Sequence, residues 1–141
     1  MTITLAEAQT ILSAAADHAE KIATAPLTIA VIDTGGHLKA LWRQDGASTL
    51  RPEMATAKAR TAIGLGKSSR KVAEDAQGRP TFIGALASLA GGDILPAAGG
   101  VLVFNGDGEL TGAVGITGDT SDRDEECAIA GIKAAGLTPG E

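Results

Sequence analysis

Residues 98–120, Ala-Gly-Gly-Val-Leu-Val-Phe-Asn-Gly-Asp-Gly-Glu-Leu-Thr-Gly-Ala-Val-Gly-Ile-Thr-Gly-Asp-Thr, decide the fold. Val101 to Phe104 is a short apolar run. Asn105-Gly106-Asp107-Gly108 is a dense turn signal, because Asn, Asp and Gly tolerate positive φ. Leu110 to Thr117 is a second run, rich in β-branched residues and glycine. Two runs around such a turn read as a hairpin. The second run stops at Thr117-Gly118-Asp119-Thr120 and enters a helix. A strand that feeds a helix through Gly, Asp and Thr leaves backbone N–H groups and small polar side chains at the helix start, a candidate place for a ligand with negative charge.

Elements of both kinds flank this hairpin. Thr4-Leu5-Ala6-Glu7 is a capping box, and Leu5, Ala8, Leu12, Ala15, Ala19 and Ile22 recur at helical spacing, predicting an amphipathic helix from residue 5 to about 24. Leu27 to Ile32 reads as a buried strand, Asp33 to His37 as a turn and Leu38 to Arg43 as the next strand: an earlier hairpin. Pro52 suits a helix start, with Ala55, Ala59, Ala62 and Ile63 on one apolar face and Met54, Lys58 and Thr61 on the neighbouring one. Ser68 or Ser69 caps a shorter helix through Ala76. Residues 81–90 read as a further short helix or turn, and Ile94-Leu95-Pro96 as a short edge strand. After the central hairpin, Thr120-Ser121 caps a last helix. Asp122, Asp124, Glu125 and Glu126 crowd its first turn and Gly136 ends it. The order helix, hairpin, helices, hairpin, helix predicts an α+β fold, a mostly antiparallel sheet with helices packed on it.

Composition sets the class. The 141 residues make one domain with no internal boundary. A net charge of −5 argues against a nucleic-acid partner. No apolar run approaches membrane-spanning length and no signal peptide is evident, so a cytoplasmic protein is expected. The single cysteine, Cys127, excludes an internal disulfide and a cysteine-cluster zinc site. Aromatic residues are scarce, with only Trp42, Phe82 and Phe104, and alanine and glycine fill their place. A core of that kind relies on close backbone approach and predicts stabilisation by self-assembly.

Gly66-Lys67-Ser68 is not a phosphate loop: the first glycine of that pattern is replaced by Thr61, and the segment follows a helix. His18 lies on the polar stripe of the first helix and His37 in a turn, where a solvated surface role is the commoner one for each. Cys127, among small residues, reads as a buried thiol. Lys58 and Arg51 are the useful cations. Near the 117–120 corner they would bind a carboxylate, a propionate or a phosphate. Asp33 follows a strand and Asp119 precedes a helix, so either serves as an acid/base candidate or as a turn and cap residue.

Ala30 to Leu38, Arg43 to Ala47, Lys58 to Ala62, Gly112 to Gly118, Asp124 and Ala128 to Gly131 together resemble the GlcG/HbpS family, the haem-degrading domain, which is similar to the C-terminal domain of PduO-type proteins. The resemblance implies a profilin-like α/β/α layered domain with a central antiparallel sheet of about five strands. It implies homo-oligomers from dimer to octamer. For some members it implies haem binding with haem breakdown or redox sensing. Haem is then the leading ligand, with His18 as the axial candidate and Lys58 or Arg51 on the propionates. Thr117, Gly118, Asp119 and Thr120 complete the expected ligand site. The alternative is a cofactor-independent enzyme on a small oxo- or hydroxy-acid, with Asp33 or Asp119 carrying the proton and Lys58 as electrostatic partner. A third reading is a non-catalytic oligomeric accessory subunit.

Overall fold

The computed structural model describes residues 1–140. Five helices and five strands follow one another as α1 (Leu5–Lys21), β1 (Thr28–Asp33), β2 (Leu38–Arg43), α2 (Arg51–Leu65), α3 (Ser69–Gly78), α4 (Pro80–Leu89), β3 (Gly100–Phe104), β4 (Leu110–Thr117), α5 (Ser121–Ala134) and β5 (Thr138–Gly140). The strands form one antiparallel sheet in the order β2-β1-β4-β3-β5. Both expected hairpins are present, β1–β2 and β3–β4, and β1 pairs with β4 from Thr28 opposite Thr117 to Asp33 opposite Gly112.

Strand alternation sorts the side chains into two layers. Ile29, Val31, Val101, Val103, Val114 and Ile116 face α1 and α5 in the larger core, with Ile3, Ile11, Leu12 and Ile132. Ile32, Leu102 and Ala113 face α2 through Ala59 and Ala62. Each large side chain fully buried here contributes about 1.5–3 kcal/mol. The α2 layer is made of small residues because the helix lies almost on the strands. A Cβ at Gly115 would overlap the Ala55 carbonyl oxygen, and one at Gly100 would overlap that of Lys58.

The helix starts follow their caps. Thr4 and Glu7 form the capping box of α1, Ser68 accepts from the Lys71 N–H at α3, and Thr120 accepts from the Arg123 N–H at α5. Two expectations fail. Ile94-Leu95-Pro96 is not a strand: the Leu95 N–H donates to the Thr61 hydroxyl at 2.8 Å, so a side chain of α2, not a sheet edge, satisfies this backbone. The strand beside β3 is β5, whose Thr138 to Gly140 pair with Phe104 to Leu102. Helix α1 stops at Lys21, short of residue 24, because Ala23 turns to a φ of 54°.

Candidate functional site

The two ends of α2 carry the polar chemistry. At its start, Arg51 Nη1 donates to the Thr117 hydroxyl at 2.6 Å. Two turns on, Lys58 runs under β4. Its Nζ donates to the Ile116 carbonyl at 2.9 Å and to Asp124 Oδ2 at 3.2 Å. The corner after β4 and the Lys58 ammonium therefore do meet. They meet inside the protein: the Lys58 side chain is 4% exposed and Asp124 1%. Burial pushes the Lys58 ammonium below its ordinary value and the Asp124 carboxyl above its own, each opposed by the charge of the other.

The rest of the corner is held by backbone. Asp124 Oδ1 accepts from the Asp119 N–H at 3.0 Å. Asp119 in turn accepts from Ala25 N–H at 2.7 Å and Thr120 N–H at 2.8 Å. Those bonds, the Ala25 one foremost, hold its carboxyl below the usual range. Gly118 adopts a φ of +142°, and a Cβ there would lie 3.0 Å from Leu27 Cα. Arg51, Thr117, Gly118, Asp119, Thr120 and Lys58 are thus brought together, with Lys58 engaged by Asp124 and Ile116 instead of facing solvent. Asp124, quoted in the family resemblance but given no role at the site, is the member sequence reasoning missed. It looks like one more acid in a helix's first turn, whereas its neighbours Asp122 and Glu125 pair with Arg70 outside.

At the other end of α2 lies the β1–β2 turn. Asp33 Oδ1 accepts from the Gly35 and His37 N–H groups, both at 2.9 Å, and these bonds, led by that of His37, lower its pKa. The His37 imidazole turns its Nδ1 to the same oxygen at 3.5 Å and is 81% exposed. Arg60 Nε ties the turn to α2 through the Gly36 carbonyl at 2.9 Å, and its Nη1 lies 3.4 Å from Asp93. These groups border a hollow of about 440 Å³ with Ile63 and Ile94 on its walls. His18 is elsewhere, on the α1–α5 seam, with Nε2 bonded to Glu126 at 2.6 Å. Cys127 is fully buried in α5, and burial, with the nearby Glu126 and Asp124, pushes its thiol up to about 11. Asp33 and Asp119, the acid/base candidates, therefore lie toward opposite ends of α2, and with Lys58, the expected electrostatic partner, enclosed at its middle the three share no one cleft.

Comparison with known proteins places this geometry. The family model for HbpS-like haem-degrading proteins matches residues 3–133. GlcG of Escherichia coli K12 is 41% identical over 95 residues, 64% of this chain and 63% of that protein. The corrinoid adenosyltransferase PduO of Citrobacter freundii is 27% identical over 134 residues, 95% of this chain and 39% of that one. The chain thus spans less than two thirds of the length of these relatives. Among solved structures, HbpS superposes with a TM-score of 0.80 at 30% identity, over 93% of this chain and 88% of HbpS. The haem complex of PduOC superposes over the whole of both chains with a TM-score of 0.89 at 23% identity, a likeness of fold. No helix among the described residues is long and apolar enough to cross a membrane. The domain, in which Lys58 ties α2 to β4 at the Ile116 carbonyl and to α5 at Asp124, belongs to the HbpS-like family.

Proposed function

We propose that the chain is a small-ligand-binding protein of the HbpS type and that its ligand is haem. The observation that carries the proposal is the family match over residues 3–133, joined to the 30% identical HbpS superposition. Side chains suited to the group are present. Haem needs an axial donor, an apolar wall and cations for its propionates. The chain offers His18 and His37 as donors, isoleucine walls beside His37, and Arg51 and Arg60 as partly exposed guanidinium groups. Cys127 is enclosed, with its thiol held protonated, so the thiolate that iron would take is withheld. Bound haem supplies a redox-active iron; the chain supplies its ligand, its orientation and its shielding.

Titration of ferric haem into the purified protein tests this. A Soret shift that saturates is expected. It should come with a rise in thermal stability, about 2.7 kcal/mol when free haem reaches 100 times Kd. Haem that leaves both the Soret band and the Tm unchanged overturns the proposal.

Self-association belongs to the same proposal. Helix α4 has no charged residue and packs on α3 alone among the described elements. Of its side chains only Ile83 is buried, while Phe82 stays 45% and Leu89 84% exposed. An apolar helix with one covered face favours a second copy of the chain as its cover. Phe82→Glu with Leu89→Glu should reduce the particle mass measured by light scattering. An unchanged mass in that variant, or a monomeric wild type, removes α4 as the assembly surface.

A further inference from the structure

The geometry points to the hollow at the β1–β2 turn as the haem site, with His37 as the iron ligand, Asp33 as the group that orients it and Arg60 as the propionate partner. This rests on the haem reading above and deepens it. An imidazole that binds a metal through Nε2 does so best when Nδ1 faces a carboxylate or carbonyl that fixes ring and tautomer. His37 is arranged that way. Its Nδ1 faces Asp33, and its Nε2 has no partner among the described residues. His18 has the opposite arrangement, since Nε2 itself is taken by Glu126.

The sequence keeps that ring where it is. A Cβ at Gly35 would lie 2.9 Å from His37 Nδ1 and 3.0 Å from its Cε1, so only glycine lets the imidazole settle over the turn. Asp33 cannot swing away, because it already accepts the two backbone N–H groups that shape the turn. The opposite wall is preformed as well. The Thr61 hydroxyl accepts from Leu95 N–H at 2.8 Å, which pins the segment beside Ile94 at the hollow's edge, while its own proton goes to the Ala57 carbonyl at 2.7 Å. Arg60 spends Nε and Nη1 on Gly36 and Asp93 and keeps Nη2 for an anion. At about 440 Å³ the hollow lies within the ~300–1,000 Å³ usual for ligand pockets. The hollow of about 570 Å³ beside Trp42 and Arg43 and the one of about 450 Å³ between α3 and α5 have no imidazole on their linings, and Arg70 at the second is taken by Asp122 and Glu125.

Haem titration of four proteins decides the matter: wild type, His37→Ala, His18→Ala and Gly35→Ala. His37→Ala should weaken binding by about tenfold or more and lose the histidine-ligated spectrum, which added imidazole restores. His18→Ala should keep both. Gly35→Ala retains the histidine but displaces it, so its affinity should fall while imidazole leaves it unrescued. His37 is exposed, so circular dichroism and Tm of the unliganded variant should match wild type. A wild-type shift that survives His37→Ala unchanged overturns this assignment alone. No shift in wild type overturns the haem reading and the assignment together.

Discussion

Gly115→Ala should lower the Tm by roughly 10 °C or leave the protein unfolded, at or beyond the upper end of the ~1–3 kcal/mol that overpacking usually costs. The reason is contact between two backbones. The added methyl would overlap the Ala55 carbonyl oxygen and lie 2.8 Å from the Ala59 nitrogen. Neither atom belongs to a side chain that could rotate away. Relief requires α2 to lift from β4, and lifting it would strip cover from Ala59, Ala62 and Ala113, and pull Lys58 off the Ile116 carbonyl. Gly64→Ala, in the same helix, is the control. A Cβ there meets nothing within 4 Å, and the substitution should stabilise by about 0.5–1 kcal/mol through the unfolded chain. Thermal denaturation of the two variants beside wild type measures both. A Gly115→Ala protein melting within about 2 °C of wild type would show that α2 is not seated on β4 as described.

Much of this architecture is local information. Caps at Thr4, Ser68 and Thr120, the Asn105–Gly108 turn and strand alternation each act over a few residues, so the layers and the β3–β4 hairpin are readable along the chain. What the sequence hides is decided by distant neighbours. Thr138-Pro139-Gly140 has the composition of a turn and becomes a strand only because β3 offers an open edge. Ile94-Leu95-Pro96 has the composition of a strand and is diverted by one hydroxyl of α2. Lys58 looks like a cation beside an apolar face. Nothing within four residues says that its ammonium is enclosed, since its partners are 58 and 66 positions away. For the same reason Asp124 cannot be told from Asp122 by pattern alone. His37 reads as a turn histidine until the Arg60 and Asp93 bonds bring α2 and the segment after α4 around it.

Lys58→Met should destabilise by about 3–5 kcal/mol, roughly 10–20 °C in Tm, because it leaves a buried carboxylate without its counter-charge. Asp124→Asn should destabilise too: its single amide oxygen can replace only one of the two carboxylate oxygens, so its NH2 group meets either the Asp119 N–H or the ammonium. The double variant should fall short of the summed losses by ~0.5–3 kcal/mol, the coupling that identifies the pair. The pH dependence fixes the sign. Burial raises the folded Asp124 pKa above its ordinary 3.8. Removing Lys58 takes away the charge that opposes the rise. A carboxyl raised in the folded state contributes stability that is present below its unfolded value and lost as pH rises through the folded one. The deficit of Lys58→Met should therefore shrink as pH falls from neutrality toward about 4. Lys58 is lowered from 10.5 by burial. In Asp124→Asn its folded form sheds the proton sooner, so that deficit should shrink as pH rises toward the unfolded value. Denaturant unfolding across pH measures both slopes. Deficits that stay flat in both variants would mean that solvent reaches the pair, and that the contact joining α2 to α5 beneath β4 is not the dry one described.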